Sequence, residues 1–238
     1  MSLPIRAITL DLDDTLWPIA PVIARAERAL HDWFARRAPR VLERHTIESM
    51  RALRDAVAAE FPELSHDYTA QRRIALERLL READEDVTLA EEAFETFFAA
   101  RCEVEHYEDT VEALERLSAR VPLAALSNGN ACLTRIGLMP LFRFQLGARE
   151  HGRAKPDASI FHAACARLGC APHEVLHVGD DVEMDVLGAH RAGLRSVWLN
   201  RERRAWPHAQ PRPDLEFHSL AALADWLDAH LLPHAKTA

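Results

Sequence analysis

Glycine is absent from the first half of this 238-residue chain: none occurs before Gly129, and all eight lie between there and Gly193. Because glycine is the usual residue at tight turns and helix ends, this distribution predicts two parts of different architecture. The four cysteines show no CxxC spacing and have no histidines at zinc-finger spacing. Neither a zinc site nor a disulfide framework is therefore indicated.

The chain also lacks long apolar runs and an excess of positive charge. No segment approaches the roughly 20 apolar residues of a membrane helix, and the N-terminus becomes acidic at Asp11, too early for a signal peptide. The net charge of -8 argues against a broad basic face for nucleic acid. We expect a cytoplasmic protein with a small-molecule partner and neither a nucleic-acid nor a membrane partner. The oligomeric state is not indicated.

The hydrophobic pattern predicts an α/β fold with a helical insertion. Residues 5–12 form a short apolar segment that ends in acidic residues, as expected of a buried strand leading into a loop. From residue 21 to about 101 the apolar residues recur at helical spacing, which predicts about four helices. Short apolar strands then alternate with helices, as in a parallel sheet covered on both faces. We predict a Rossmann-like core of residues 1–16 and 106–238 with an inserted helical domain of residues 17–105.

Three local features accompany this fold. Thr88, with Glu91 three residues later, matches a capping box at the start of a helix. Asp109 is expected to cap the helix that follows it. The arginine- and proline-rich stretch 200–214, with a cluster of arginines around Arg201, is typical of a solvated loop.

Polar residues occur where the predicted strands end, the edge at which open parallel sheets bind ligands. These are Asp11 and Asp13 after the first strand, Ser127 after the second, and Asp180, Asp181 and Asp185 after the fourth. Carboxylates gathered at one edge would repel one another unless a cation lay among them, and hard oxygen ligands suit Mg²⁺. Ser127, the backbone amides after it and Lys155 could then contact three phosphate oxygens. The pattern predicts a magnesium site that accepts a phosphate.

Four short motifs in the chain resemble, in order and position, those of the haloacid dehalogenase superfamily. They are DLDDTL at 11–16, SNG at 127–129, Lys155 within GRAKP, and GDDVEMD at 179–185. Each motif alone is weak, but four in order along nearly the whole chain are specific. The resemblance implies a hydrolase whose helical insertion is a cap that closes over the site and selects the leaving group.

The resemblance also implies roles for the acidic residues. Asp11 would be the nucleophile and a Mg²⁺ ligand. Asp13 would offer its backbone carbonyl to the metal and its side chain as general acid and then general base. Asp180 would be the second carboxylate ligand, and Asp181 and Asp185 would hold the waters of the metal or orient the lysine.

The same resemblance assigns the phosphate-binding residues. Ser127 would hold a phosphate oxygen together with Asn128 and Gly129, and Lys155 would offset the charge on the nucleophile and the phosphoryl group. Trp17, next to the first motif and outside any helical stripe, is expected to lie in the substrate pocket and to stack on a ring-bearing leaving group.

Asp13 separates the chemistries of the superfamily. Dehalogenase members resemble this chain at Asp11, but they lack an aspartate two residues later and need no metal, whereas phosphatases and phosphomutases keep it. The expected activity is hydrolysis of a small phosphate monoester through a phosphoaspartyl intermediate. Within the superfamily, the chain resembles bacterial flavin mononucleotide (FMN) and riboflavin-pathway phosphatases in the segments DLDDTLW, SNGN, HGRAKP and LHVGDD.

Two alternative functions stay open. A phosphomutase would use the same four motifs and keep the phosphoaspartate away from water. A non-catalytic binding protein on the same fold is disfavoured, because such a protein has no need of so costly a cluster of charges. A calcium loop counted from Asp11 is excluded, since its glycine and glutamate positions hold Leu16 and Val22.

Overall fold

The computed structural model describes residues 5–230, which form two compact units. The α/β unit comprises residues 5–18, 106–129 and 137–230, and the helical unit comprises residues 19–105 and 130–136. Trp17 therefore belongs to the α/β unit, although the insertion was expected to begin there. The segment after Gly129 joins the helical unit, which no sequence signal indicated.

The α/β unit is built on one six-stranded parallel sheet. Its strands are β1 Ala7–Leu10, β2 Leu123–Ser127, β3 Phe144–Gly147, β4 Val175–Gly179, β5 Arg195–Leu199 and β6 Leu215–Phe217. Their order is β3-β2-β1-β4-β5-β6, and every pairing is parallel. The strands β1, β2 and β4 are buried along their whole length, as their continuous apolar sequences require. The predicted α/β fold is confirmed.

The sheet changes its direction of growth between β1 and β4. From β1 the chain adds β2 and β3 on one side, and later β4, β5 and β6 on the other. Connections that leave in opposite directions open a crevice beyond the carboxyl ends of the two central strands, where such sheets bind ligands. Asp11 follows β1 and Asp180 follows β4, so both lie at this crevice.

Eleven α-helices occur within residues 5–230. They are α1 Ile19–Arg37, α2 Pro39–Arg44, α3 Ile47–Glu60, α4 Tyr68–Glu82, α5 Ala90–Arg101, α6 Thr110–Arg120, α7 Leu133–Ile136, α8 Ala148–His151, α9 Ala158–Leu168, α10 Gly188–Arg191 and α11 Leu220–His230. Short 3₁₀ turns are Pro62–Leu64, Val87–Leu89, Met139–Leu141 and Pro172–Glu174. A π-helical turn, Val182–Leu187, leads directly into α10.

The helical unit contains α1 to α5 and α7. Helix α1 packs on α5, and α4 packs on both α3 and α5, around a core that includes Leu30, Phe34, Leu80 and Phe97. Within the predicted insertion, the extra helix relative to the four expected is α2, which begins at Pro39, a residue preorganised for a helix start. Among residues 5–230 no helix has the length and apolar character needed to cross a membrane.

The start of α5 differs from the sequence prediction. This helix begins at Ala90, and Thr88 lies in the preceding 3₁₀ turn. The carboxylate of Asp86 accepts the backbone N–H of Thr88 at 2.9 Å and its hydroxyl at 2.7 Å, while Glu91 pairs with Arg73 at 2.6 Å. The predicted capping box is wrong because a charged acceptor two residues earlier takes the Thr88 donors.

Asp109 caps a different helix from the one expected. It lies at the N-cap of α6, but its side chain makes no capping bond there. Its Oδ2 accepts the backbone N–H groups of Leu220 at 2.6 Å and Ala221 at 3.2 Å, at the start of α11. Its Oδ1 accepts from Arg201 at 3.0 Å. Because α6 and α11 pack together, this carboxylate joins two helices and a loop.

Replacing Asp109 with alanine should lower the free energy of unfolding by about 2–3 kcal/mol, because a helix cap and a charged acceptor are lost together. Asp109→Asn should lower the free energy of unfolding by less, since the amide oxygen can still accept from the backbone N–H groups of α11. Urea unfolding followed by circular dichroism measures both. The exposed neighbour Glu108 provides the control: Glu108→Ala should change stability by less than about 0.5 kcal/mol. Equal losses for the two alanine variants would contradict the assignment.

Candidate active site

Lys155 holds two carboxylates together in the α/β unit. Its Nζ lies 2.5 Å from Asp11 Oδ1 and 2.5 Å from Asp185 Oδ1, and all three residues are buried. Burial by itself would lower the pKa of Lys155, but the charges of Asp11 and Asp185 outweigh it and raise that pKa above its ordinary value. Lys155 therefore stays a cation inside this site.

Both oxygens of the Asp185 carboxylate accept hydrogen bonds within the site. Its Oδ1 accepts from Lys155 and from His177 Nε2 at 3.1 Å, and its Oδ2 accepts the backbone N–H of Asp181 at 3.1 Å. Gly179 leaves space for this group, because a Cβ there would lie 2.2 Å from Asp185 Oδ2. Burial would raise the pKa of Asp185, but Lys155 and His177 outweigh it and lower the pKa. Asp185 is therefore ionised and held in one orientation.

His177 links Asp185 to the interior of the sheet. It lies opposite Thr9 in the pairing of β1 with β4, and its Nδ1 is 2.8 Å from Thr9 Oγ1. Burial lowers the pKa of His177, so the ring is neutral. Because the Asp185 carboxylate can only accept, Nε2 carries the proton and Nδ1 accepts from the Thr9 hydroxyl. No sequence pattern indicates this contact with Asp185.

Three carboxylates form a group that fits a metal ion. Asp11, Asp180 and Asp185 each offer an oxygen, and these atoms lie within 4.8 Å of one another. Burial raises the pKa of Asp11 well above its ordinary value. Burial, followed by the charge of Asp185, raises the pKa of Asp180 to about 7. A hard divalent cation such as Mg²⁺ would relieve this repulsion, and the all-oxygen donor set suits it. Asp185, expected in a supporting position, is part of this group.

The SNG motif turns at the end of β2. Ser127 is buried, and its Oγ accepts the backbone N–H of Gly129 at 3.0 Å. The side chain of Asn128 donates to the carbonyl oxygen of Lys155 at 2.9 Å and accepts the Lys155 backbone N–H at 2.7 Å. The side chain of Asn128 therefore fixes the backbone of Lys155, and phosphate binding by the backbone N–H of Asn128 stays a prediction.

Trp17 does not lie where the sequence suggested. Its side chain is 0% exposed, and its ring packs edge-on against His106 with centroids 5.9 Å apart. Its Nε1 donates to Asp13 Oδ1 at 2.9 Å. A ring without exposed surface cannot stack on a substrate, so the pocket role expected for Trp17 is wrong in this structure.

Asp181 caps the turn that carries Asp185, and its expected role toward the metal's waters or the lysine stays a prediction. It is exposed, and its Oδ1 accepts the backbone N–H groups of Glu183 and Met184, both at 2.8 Å. These bonds cap the π-helical turn in which Asp185 lies. The side chain of Asp181 thus shapes the turn, and its backbone N–H orients Asp185.

Asp180 is bonded to the loop of the first motif and to strand β5. Its Oδ1 accepts from Thr15 Oγ1 at 3.3 Å, and its backbone oxygen accepts from Trp198 Nε1 at 3.0 Å.

Arg201 donates to the carbonyl oxygen of Thr15 at 3.0 Å and lies 4.0 Å above the Tyr107 ring. Its side chain is only 15% exposed, so this arginine, expected in a solvated loop, anchors the loop of the first motif.

Known proteins resemble this chain in both sequence and structure. The model of the haloacid dehalogenase-like hydrolase family matches residues 5–193. The chain is 35% identical over 227 residues to the 5-amino-6-(5-phospho-D-ribitylamino)uracil phosphatase YigB of Escherichia coli K12, covering 92% of this chain and 94% of that protein. It is 28% identical over 219 residues to the glyceraldehyde 3-phosphate phosphatase of Methanopyrus kandleri, covering 88% and 89% of the two chains.

A solved structure named as a 2-haloacid dehalogenase, from Pseudomonas syringae pv. Tomato DC3000, superposes with a TM-score of 0.88 at 37% identity. It covers 94% of this chain, which in turn covers 99% of that one. Relatives named as phosphatases and as dehalogenases thus share this fold. Together with the four motifs and the Asp11–Lys155–Asp185 cluster, these matches show that the chain is an enzyme of the haloacid dehalogenase-like hydrolase family.

Proposed function

We propose that this enzyme is a Mg²⁺-dependent phosphomonoesterase that hydrolyses a small phosphorylated metabolite through a phosphoaspartyl intermediate on Asp11. The observation that carries the proposal is the presence of two carboxylates on one loop. Asp11 is fixed by Lys155, and Asp13, two residues later, is held by a separate hydrogen bond. One carboxylate can attack while the other transfers protons.

The two half-reactions use these groups in turn. In the first, an oxygen of Asp11 attacks phosphorus, the bond between phosphorus and the leaving-group oxygen breaks, and Asp13 gives that oxygen its proton. In the second, Asp13 takes a proton from water as the water oxygen attacks the phosphorus of the phosphoaspartate. Phosphate leaves and the Asp11 carboxylate is restored. Ser127 donates to a phosphate oxygen, and Lys155 offsets the charge on Asp11 and the phosphoryl group.

Dehalogenation is the second candidate, because the structural relative from Pseudomonas syringae bears that name. Displacement of halide from a 2-haloacid can also use a carboxylate nucleophile, but the halide leaves as a stable anion and needs no proton. The alkoxide of a phosphate ester does need one. Asp13 therefore favours phosphoryl transfer.

The group of Asp11, Asp180 and Asp185 would hold the Mg²⁺. When bound, the ion would supply positive charge that offsets the repulsion between a carboxylate nucleophile and phosphate oxygens. Within the same proposal, the helical unit is the cap that selects the leaving group. FMN and 5-amino-6-(5-phospho-D-ribitylamino)uracil are the candidate substrates, a choice supported by the similarity to YigB over nearly the whole chain.

A substrate panel tests the proposal. Phosphate release should be measured with FMN, the ribitylaminouracil phosphate, pyrimidine nucleotides, phosphosugars and phosphoglycolate, and halide release with 2-chloropropionate. We expect phosphate release in the presence of Mg²⁺ and no halide release. Isomerisation of a phosphosugar without free phosphate would indicate a phosphomutase, and halide release without phosphate release would establish the dehalogenase.

Replacing the two aspartates of the first motif should impair different steps of the reaction. Asp11→Asn removes the nucleophile, so activity should vanish and no phosphoenzyme should form. Asp13→Asn should slow hydrolysis of an alkyl phosphate by roughly 100- to 10,000-fold, the contribution typical of general acid catalysis. With a nitrophenyl phosphate, the rate of the first half-reaction should fall less, because the leaving group is a stable anion. Rapid quench with labelled substrate should show phosphoenzyme accumulating in the Asp13 variant.

Asp14→Asn is the matched control for these variants. It removes one carboxylate from the same loop, and asparagine tolerates the left-handed backbone of Asp14, whose φ is 57°. Activity should be largely kept. Labelled phosphoenzyme in the Asp11→Asn variant would refute the nucleophile assignment.

Mg²⁺ should stabilise the protein more at about pH 8 than at about pH 5. Without metal, the pKa of Asp180 is about 7 against an ordinary 3.8. Between these two pKa values the folded state therefore binds more protons than the unfolded chain. The contribution of Asp180 to the free energy of unfolding falls as the pH rises from the lower value to the higher. Mg²⁺ binds the ionised form, so its stabilising effect should grow with pH.

Thermal melts with and without Mg²⁺ at the two pH values measure this difference. Asp180→Asn should remove most of the Mg²⁺ effect on Tm at both values. A Tm increase that is the same at both pH values, or that survives in the Asp180 variant, would place the metal elsewhere.

A further inference from the structure

Trp17 directs its indole N–H at the carboxylate assigned to proton transfer. The Nε1 atom lies 2.9 Å from Asp13 Oδ1, and the ring is completely buried with its edge against His106. Indole N–H can only donate, so it requires an acceptor oxygen. A fully buried ring cannot shift without repacking its surroundings. Its N–H is therefore a fixed point for the half-buried side chain of Asp13.

Another buried tryptophan of the same unit satisfies its N–H differently. Trp198 donates to the backbone carbonyl oxygen of Asp180 at 3.0 Å. A backbone acceptor of this kind would have served Trp17 equally well, because buried tryptophans need only one partner. The N–H of Trp17 instead contacts the carboxylate side chain of Asp13. This contact restricts Asp13 as well as satisfying Trp17.

The short loop between the two residues fixes their relative position. The left-handed backbone at Asp14 turns the chain, and the Asp14 N–H donates to the carbonyl oxygen of Trp17 at 2.7 Å. The N–H of Leu16 donates to Leu12 O at 2.8 Å. The carbonyl of Leu16 accepts from Thr110 Oγ1 at 2.9 Å, which ties the loop to α6. Asp13 and Trp17 are thus held in one closed turn.

We propose that Trp17 is a positioning residue for proton transfer: its N–H holds the Asp13 carboxyl in the orientation from which Asp13 protonates the leaving group and later deprotonates water. Proton transfer requires donor and acceptor within hydrogen-bond reach, so the orientation of Asp13 affects both half-reactions. Trp17 acts only through Asp13 and touches no substrate. The inference rests on the acid–base role of Asp13 in the proposed function.

The first test is Trp17→Phe, which keeps an aromatic ring and removes the N–H. For an alkyl phosphate, kcat should fall roughly 10- to 100-fold, the loss expected from a misplaced catalytic group. For a nitrophenyl phosphate the rate of the first step should fall less. The KM values for both substrates should change by less than about twofold. An unchanged kcat for the alkyl phosphate would overturn the proposal.

A double-mutant cycle separates positioning from a merely structural role. In an Asp13→Asn background, adding Trp17→Phe should reduce kcat by less than about twofold, because Asp13 no longer transfers a proton. If the kcat reduction of the double variant equals the product of the two single reductions, Trp17 acts independently of Asp13. That result would overturn the proposal. If Asp13→Asn alone leaves alkyl phosphate turnover intact, the acid–base assignment fails first, which identifies an error in the proposed function instead.

Trp33→Phe is the matched control. Trp33 is also buried and donates through Nε1 to a carboxylate, Glu92 Oε1 at 3.1 Å. Its replacement should lower Tm to a similar degree and leave the dependence of kcat on the leaving group unchanged; a matching change would attribute the effect to lost stability and contradict the proposal. If Trp17→Phe does not fold, benzothienylalanine at position 17 replaces the N–H by sulfur at nearly constant volume, and the same kinetic outcomes decide.

Discussion

The buried ammonium of Lys155 between Asp11 and Asp185 is the interaction on which the rest of the site depends. Removing these charges from water costs several kcal/mol per ion, and their attraction offsets that cost only when the geometry is held closely. Asn128 supplies this constraint at the lysine backbone, and His177 supplies it at the Asp185 carboxylate. Residues from separate segments of the α/β unit therefore serve one ion cluster.

The sheet is the framework that brings these segments together. Because β1 lies beside β4, the residues after both strands meet at the same crevice. The register matters as much as the order, since Thr9 lies directly opposite His177. A shift of one residue would turn the imidazole to the other face of the sheet and leave Asp185 without its Nε2 donor. Gly179 adds a steric condition, because any side chain there would occupy the space of the Asp185 carboxylate.

The sequence predicted the features that depend on local pattern. An apolar run followed by an acidic residue marked the ends of β1 and β4, and the four motifs indicated the family. The contacts of Asn128, Asp109 and Trp17 were missed for a physical reason. Each of these side chains has several acceptors or donors within possible reach, and tertiary packing decides which it uses. Asp109 lies 111 positions from its partner Leu220 along the chain, and no periodicity connects the two.

Fold alone cannot choose between the two chemistries of the relatives, because the attacking carboxylate serves both. The choice depends on the leaving group: an alkoxide must be protonated as it departs, and a halide needs no proton. In the proposed mechanism Asp13 supplies that proton, and the completely buried indole of Trp17 donates a hydrogen bond to its carboxyl. The departure of a halide needs no such proton donor. The Trp17–Asp13 hydrogen bond therefore supports the proposed phosphoryl transfer, since it restrains a carboxyl that lies two residues after Asp11.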